Sequence, residues 1–132
     1  MATSFEIKDW SGFVAENDLS AKQYYAVELG TAADEVDVCD GAGDLVIGIL
    51  QNDPIAGEEC AIRTYGISKW VASANISIGD KVGTTNAGKA VAKTTNRDLY
   101  VGVALKGLIA ISRQFIGFKW RKMERNYLSE FI

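Results

Sequence analysis

The sequence predicts an all-β body with a different kind of segment at each end. Three observations carry this. Short runs of β-branched and apolar residues recur with turn signals about every ten residues, the pattern of a β-sandwich or barrel. Thirteen glycines stand against one proline, which suits many tight turns. Between residues 23 and 112 no window offers an apolar stripe at the 3.6-residue spacing of a helix.

The chain has 132 residues, the size of one domain with tails. Residues 1–22 read as an N-terminal arm with one short strand. Phe5, Ile7, Trp10, Phe13 and Val14 are scattered there among polar groups and need a surface to lie on. The body begins with Tyr25-Ala26-Val27-Glu28-Leu29, which stops at Gly30. Val36 and Val38 alternate with Asp37, and Asp40 to Asp44 is a turn by composition. Leu45–Gln51 is a continuous apolar run, as a buried strand requires. Two alternating runs, Cys60–Tyr65 and Ile67–Ala72, flank Gly66 and suit strands with one solvated face. Shorter strands follow at Lys81–Val82, Lys89–Lys93, Leu99–Leu105 and Leu108–Ser112.

The tail, 113–132, is different. Ile116, Trp120, Met123, Tyr127 and Phe131 are spaced 4, 3, 4 and 4, which lines one face of a helix over about 119–130. Lys119, Arg121, Lys122, Glu124 and Arg125 fall mostly on the other face. Three uses remain open: packing on its own domain, burial in another subunit, or a place at a membrane surface.

Net charge is −3, and it is unevenly spread. The tail holds five basic and two acidic groups, a net +3. The remaining nine basic and fifteen acidic groups make the rest −6. An acidic body disfavours nucleic acid as a partner. Met1-Ala2-Thr3-Ser4 does not read as a secretory leader, and no apolar run is long enough to span a bilayer.

Histidine is absent. That removes the Ser-His-Asp and Cys-His nucleophile systems and histidine-containing zinc sites. Gly41-Ala42-Gly43 starts like a dinucleotide loop, but Val46 replaces the third glycine and a strand follows. Gly66-Ile67-Ser68 starts like a nucleophile elbow, but Trp70 replaces the second glycine. Counted from Asp37, a calcium loop would place Cys39 and Gly41 at ligand positions, a poor match. Cys39 and Cys60 read as free, half-buried thiols. The expectation is no catalytic residue, no cofactor and no metal.

The order of pieces across 27–105 carries a resemblance. Leu45-Val46-Ile47-Gly48-Ile49-Leu50-Gln51 precedes Pro54-Ile55-Ala56-Gly57. Then come Tyr65-Gly66-Ile67-Ser68-Lys69, Ile78-Gly79-Asp80-Lys81-Val82, Ala87-Gly88-Lys89-Ala90 and Val101-Gly102-Val103-Ala104-Leu105. The series resembles the capsid cement, or head decoration, family of tailed bacteriophages. The resemblance implies a small β-barrel or β-tulip-like body, carried on the outer capsid surface of a virion made in the host cytoplasm. It also implies partners: major capsid protein, met at subunit junctions, and other cement subunits, with a trimer favoured. No nucleic acid and no membrane partner is expected.

Aromatic and Arg side chains are the usual anchors of protein interfaces. The expected capsid or partner contacts are therefore Phe5, Ile7, Trp10 and Phe13 in the arm, with Trp120, Arg121, Met123, Arg125, Tyr127 and Phe131 in the tail. A carbohydrate- or host-surface-binding β-module is the alternative, and a hydrolase built on two carboxylates is a more distant one.

Overall fold

The computed structural model describes residues 7–42, 44–94 and 100–111. They form nine strands and no helix: β1 (Lys8–Ala15), β2 (Ala26–Leu29), β3 (Glu35–Val38), β4 (Gly48–Leu50), β5 (Glu59–Ser68), β6 (Lys81–Thr84), β7 (Ala90–Ala92), β8 (Gly102–Ala104) and β9 (Ile109–Ile111). The expected helix over 119–130 lies outside the described residues.

The strands pair in the order β1-β3-β2-β4-β5-β9-β8-β6-β7, and β1 also pairs β5. The first half therefore curls back on itself, and the second half continues as an open sheet. Of the expected β-barrel or β-tulip-like body, the closed barrel is not formed by the nine-stranded sheet as a whole. The reason lies at β7. It is only three residues long, and its outer side meets the irregular segment around Ala72 through one bridge, Ala72↔Ala90. Ser73 N–H donates to the Ala90 carbonyl, and Ala90 N–H donates to the Val71 carbonyl. Among the described residues, no further strand stands there to complete a ring.

Strand β5 joins the two halves. Its Cys60–Tyr65 part pairs β1 and β4, and its Gly66–Ser68 part pairs β9. The sequence reads as two runs broken by Gly66, yet this is one ten-residue strand. Gly66 has φ of 107°, a backbone state that L side chains rarely adopt. It lets the strand change partners without ending.

Two apolar cores lie on opposite faces of β2 and β4. Ala26 and Ile49 join Cys39, Val46, Trp70, Val82, Val101, Ile109 and Ile111 in one. Val27 and Leu50 join Ala15, Leu19, Val36, Ile47, Cys60 and Ile62 in the other. A strand buried on both faces needs no polar residue in alternation, which explains the continuous run from Val46 to Leu50, while Leu45 ahead of it is exposed. Trp70 belongs to the first core, and its indole N–H donates to the Gly88 carbonyl at 2.9 Å.

Residues 8–15 of the segment read as an arm form β1. Its surface is β5, against which it pairs from Lys8↔Tyr65 to Val14↔Glu59. The C-terminal end of β1 enters the second core through Ala15, and Leu19 follows it in.

Gly102 is a site of close approach. A Cβ there would run into the Ala110 carbonyl and within 3.0 Å of the Ile111 Cα. Gly102→Ala is expected to destabilise the protein by about 1–3 kcal/mol, the usual cost of overpacking. Urea unfolding measures it, and an unchanged midpoint would show that β8 and β9 can separate freely.

Candidate functional site

The N-terminal strand gathers the most developed surface of exposed aromatic and paired polar groups. Its position is set by Arg63 on β5. The guanidinium donates from Nε to Asp9 Oδ1 at 2.9 Å and from Nη2 to Asp9 Oδ2 at 3.2 Å. Its Nη1 donates to the Ile67 carbonyl at 3.1 Å. One side chain thus ties β1 to both halves of β5. The bidentate contact with Asp9 holds the Arg63 pKa above its ordinary value, chiefly through that hydrogen bond. The pair is partly exposed, so its function is geometric more than stabilising. Thr64 Oγ1 adds a bond to the Lys8 carbonyl at 3.1 Å. Beyond Trp10 the register shifts, and Gly12 N–H donates to Glu59 Oε2 at 3.2 Å.

On this frame Trp10 and Phe13 stack, with ring centroids 6.0 Å apart and planes 21° from parallel. Phe13 is half-buried against the second core, and Trp10 is 37% exposed above it. Phe13 thereby holds Trp10 in place while leaving its ring accessible. Ile7, just ahead of β1, is exposed as well. Of the expected contact residues, the structure brings Trp10 and Phe13 together and leaves Ile7 exposed just ahead of β1. Phe5, Trp120, Arg121, Met123, Arg125, Tyr127 and Phe131 lie outside the described residues. Arg63, Asp9 and the exposed Tyr65 were not singled out from sequence. Tyr65 was visible as an outward position of an alternating run, but the Arg63–Asp9 contact joins residues 54 apart and had no local signal.

A second cluster lies at the other side of the sheet's first half. Carboxylate oxygens of Glu28 and Asp44 and the Cys39 sulfur lie within 4.8 Å of one another. Asp44 accepts from Gly41 N–H at 2.7 Å and from Asp40 N–H at 3.1 Å. Glu28 sits across from Asp37 in the β2–β3 register. Burial raises the Glu28 pKa most; a hydrogen bond to Asp44 and the charges of Asp44, Asp40 and Asp37 add to it, pushing it up to about 8. Asp44 is held below its ordinary value, first by the hydrogen bond from Glu28. Burial pushes the Cys39 thiol up, and burial pushes that of Cys60 up to about 11. Both thiols are free and buried. Glu28 and Asp44 share a hydrogen bond, which fastens the segment of Asp40, Gly41 and Asp44 to β2. The three side chains are of types that could hold a metal ion, which would displace their protons.

Comparison with protein-family models finds one that decides the family: phage cement protein, matched over residues 13–111. The chain belongs to the phage cement protein family. It is a structural protein of a phage capsid and a component of the virion. Among solved structures, the crystal structure of the head fiber gp8.5 N base in bacteriophage phi29 is similar, with a TM-score of 0.59 and 17% identity. The alignment covers 83% of this chain and 97% of that one. At such identity the likeness speaks for the fold. A comparison with curated protein sequences finds no match.

For this cement protein the carboxyl pair has a pH signature. Glu28 releases its proton near 4.5 when unfolded and near 8 when folded. Its contribution to stability is complete below about 4.5 and is lost as pH rises towards 8, because over that window only the folded state keeps the proton. Glu28→Gln, which cannot ionise, is expected to gain stability relative to the parent between pH 5 and 8.5. Urea midpoints at both pH values measure this. Parallel pH profiles for the two proteins would remove the shared proton.

Proposed function

We propose that the protein binds the outer surface of a bacteriophage head, at junctions between major capsid proteins, and stabilises the shell. The observation that carries this reading is the cement-family match over residues 13–111. The fold shared with the base of a phage head fiber supports a position on the head. Binding performs the function, with no turnover. A body that bridges two capsid subunits must be detached before they separate. Because it binds only the assembled state, mass action favours that state, by about 2.7 kcal/mol at a free concentration a hundred times Kd. Clustering with other copies, as trimers, would add contacts that form at high effective concentration.

The contacts assigned to the head are Phe5, Ile7, Trp10 and Phe13 on the N-terminal side, with Trp120, Arg121, Met123, Arg125, Tyr127 and Phe131 in the tail. Trp10 is the best-supported of these. It is accessible, aromatic, and held from beneath by Phe13, so little ordering entropy remains to be lost on binding.

Co-sedimentation with mature and immature empty heads tests the reading. The parent protein is expected to pellet with mature heads. Trp10→Ala is expected to weaken this by about thirtyfold, the effect of losing an interface anchor worth about 2 kcal/mol. Its unfolding midpoint should change little, since the ring is partly exposed. Head binding unaltered by this substitution would move the contact elsewhere. A parent protein that never pellets with heads would overturn the reading itself.

A further inference from the structure

Three donor atoms of mixed kind meet at the margin of the first core, on one face of β2 and β3. Cys39 follows β3 and keeps its register, with its N–H donating to the Ala26 carbonyl at 3.0 Å. Glu28 pairs Asp37 one step further along. Side chains alternate between the two faces of a strand, so Glu28 shares a face with Ala26 and stands diagonally across from Cys39. Ala26 and Cys39 both belong to the first core. The chain after Cys39 then returns Asp44 to the same place. One carboxylate oxygen of Glu28, one of Asp44 and the Cys39 sulfur all lie within 4.8 Å of one another.

The sulfur is the telling atom. Cys39 is fully buried, and its thiol meets the Thr84 hydroxyl. That hydroxyl donates its own hydrogen to the Thr85 carbonyl at 2.8 Å, so towards the thiol it can only accept. The sulfur lone pairs gain no hydrogen from it and remain open to a Lewis acid. Asp44 is held by the backbone, accepting from Gly41 N–H at 2.7 Å and from Asp40 N–H at 3.1 Å. Such bonds fix a ligand's orientation before an ion arrives, as the outer partners of metal ligands do.

We propose that Glu28, Cys39 and Asp44 form a binding site for a zinc ion. A thiolate is a soft ligand and carboxylates are hard ones, and zinc is the divalent ion that accepts both. A tetrahedral zinc with bonds of about 2.0–2.3 Å sets its ligand atoms about 3.5 Å apart, which small side-chain rotations reach from the present cluster. Three protein ligands leave the fourth position to water. Glu28 and Asp44 are half-buried, so that position opens to solvent and gives the ion its entry. The charge balances as well. Zinc brings two positive charges and displaces two protons, one from Cys39 and one from the Glu28–Asp44 pair. The pH response of Glu28 belongs to the metal-free protein. With zinc bound, the segment after β3 is fastened to β2 by metal bonds in place of a shared proton. The site stands apart from head binding.

Zinc titration of the full chain, without an affinity tag and stripped beforehand with a chelator, tests it. The sequence has no histidine, so background binding through imidazole is absent. One zinc per chain is expected. Cobalt(II) in place of zinc is expected to give the thiolate-to-metal charge-transfer absorption that marks a cysteine ligand. Cys60→Ala should keep this absorption and Cys39→Ala should lose it. Glu28→Gln is expected to weaken zinc binding more than about tenfold, the upper range for a disturbed metal site being about a hundredfold. Asp53→Asn, an exposed carboxylate elsewhere, should bind as the parent does. Unfolding midpoints check that each variant folds, and Glu28→Gln decides alone if Cys39→Ala does not. A parent that takes up no zinc at micromolar concentrations overturns the proposal. Equal binding by parent and Glu28→Gln, or a cobalt complex without the thiolate absorption, also overturns it and identifies an adventitious ion only.

Discussion

The architecture depends on a short strand buried on both faces. Ile49 and Leu50 of β4 point into different cores, and neither side chain is exposed. Beside β4, β2 also buries Ala26 and Val27 in different cores, whereas β5 buries alternate residues such as Cys60 and Ile62 on one side. Each core holds residues from distant parts of the chain: Ala15 and Cys60 meet in one, Cys39 and Ile111 in the other. Removing β4 would therefore leave the N-terminal half of the sheet joined to β5 through β1 alone. Hydrophobic burial supplies the drive, and the backbone pairing of β4 with β2 and β5 supplies the register.

A rigid body of this kind suits a protein of the cement family. Static adhesion requires a surface that is already in shape before the partner arrives, because each group ordered on binding costs affinity. Arg63 provides that order for the N-terminal strand. It reaches Asp9 with two nitrogens and the Ile67 carbonyl with a third. Trp10 then rests on Phe13, which rests on the core. The chain of contacts runs from a buried centre to an accessible ring. The carboxyl pair Glu28–Asp44 is different in kind. It gathers acidic groups at a turn, and retention of one proton relieves their repulsion.

Much of the strand pattern was legible. Alternation located β2, β3 and β5, turn residues bounded β6 and β7, and the unbroken apolar run located β4. The limits are equally physical. Gly66 reads locally as a break, yet its positive φ bends one continuous strand between two sets of partners. Barrel closure is a property of the last strand's neighbours, and no local pattern states that β7 meets an irregular segment in place of a strand. The candidate site divides in the same way. Trp10 and Phe13 stood out as aromatics in a polar stretch, but their stacking, and the hold of Arg63 on Asp9, connect residues through space. Glu28 carried no signal at all, because only the β2–β3 register and the 40–44 turn place it among carboxylates.

The sequence by itself determined the all-β class, the uneven charge, the exclusion of histidine chemistry and the resemblance to phage cement proteins. These follow from composition and from local alternation, which depend on which residues are present and in what order. The tertiary structure decided that the nine-stranded sheet as a whole stays open, that residues 8–15 are part of it, and that Glu28, Cys39 and Asp44 meet. Those outcomes depend on which strands meet, and strands distant in sequence meet only where two cores can be filled at once.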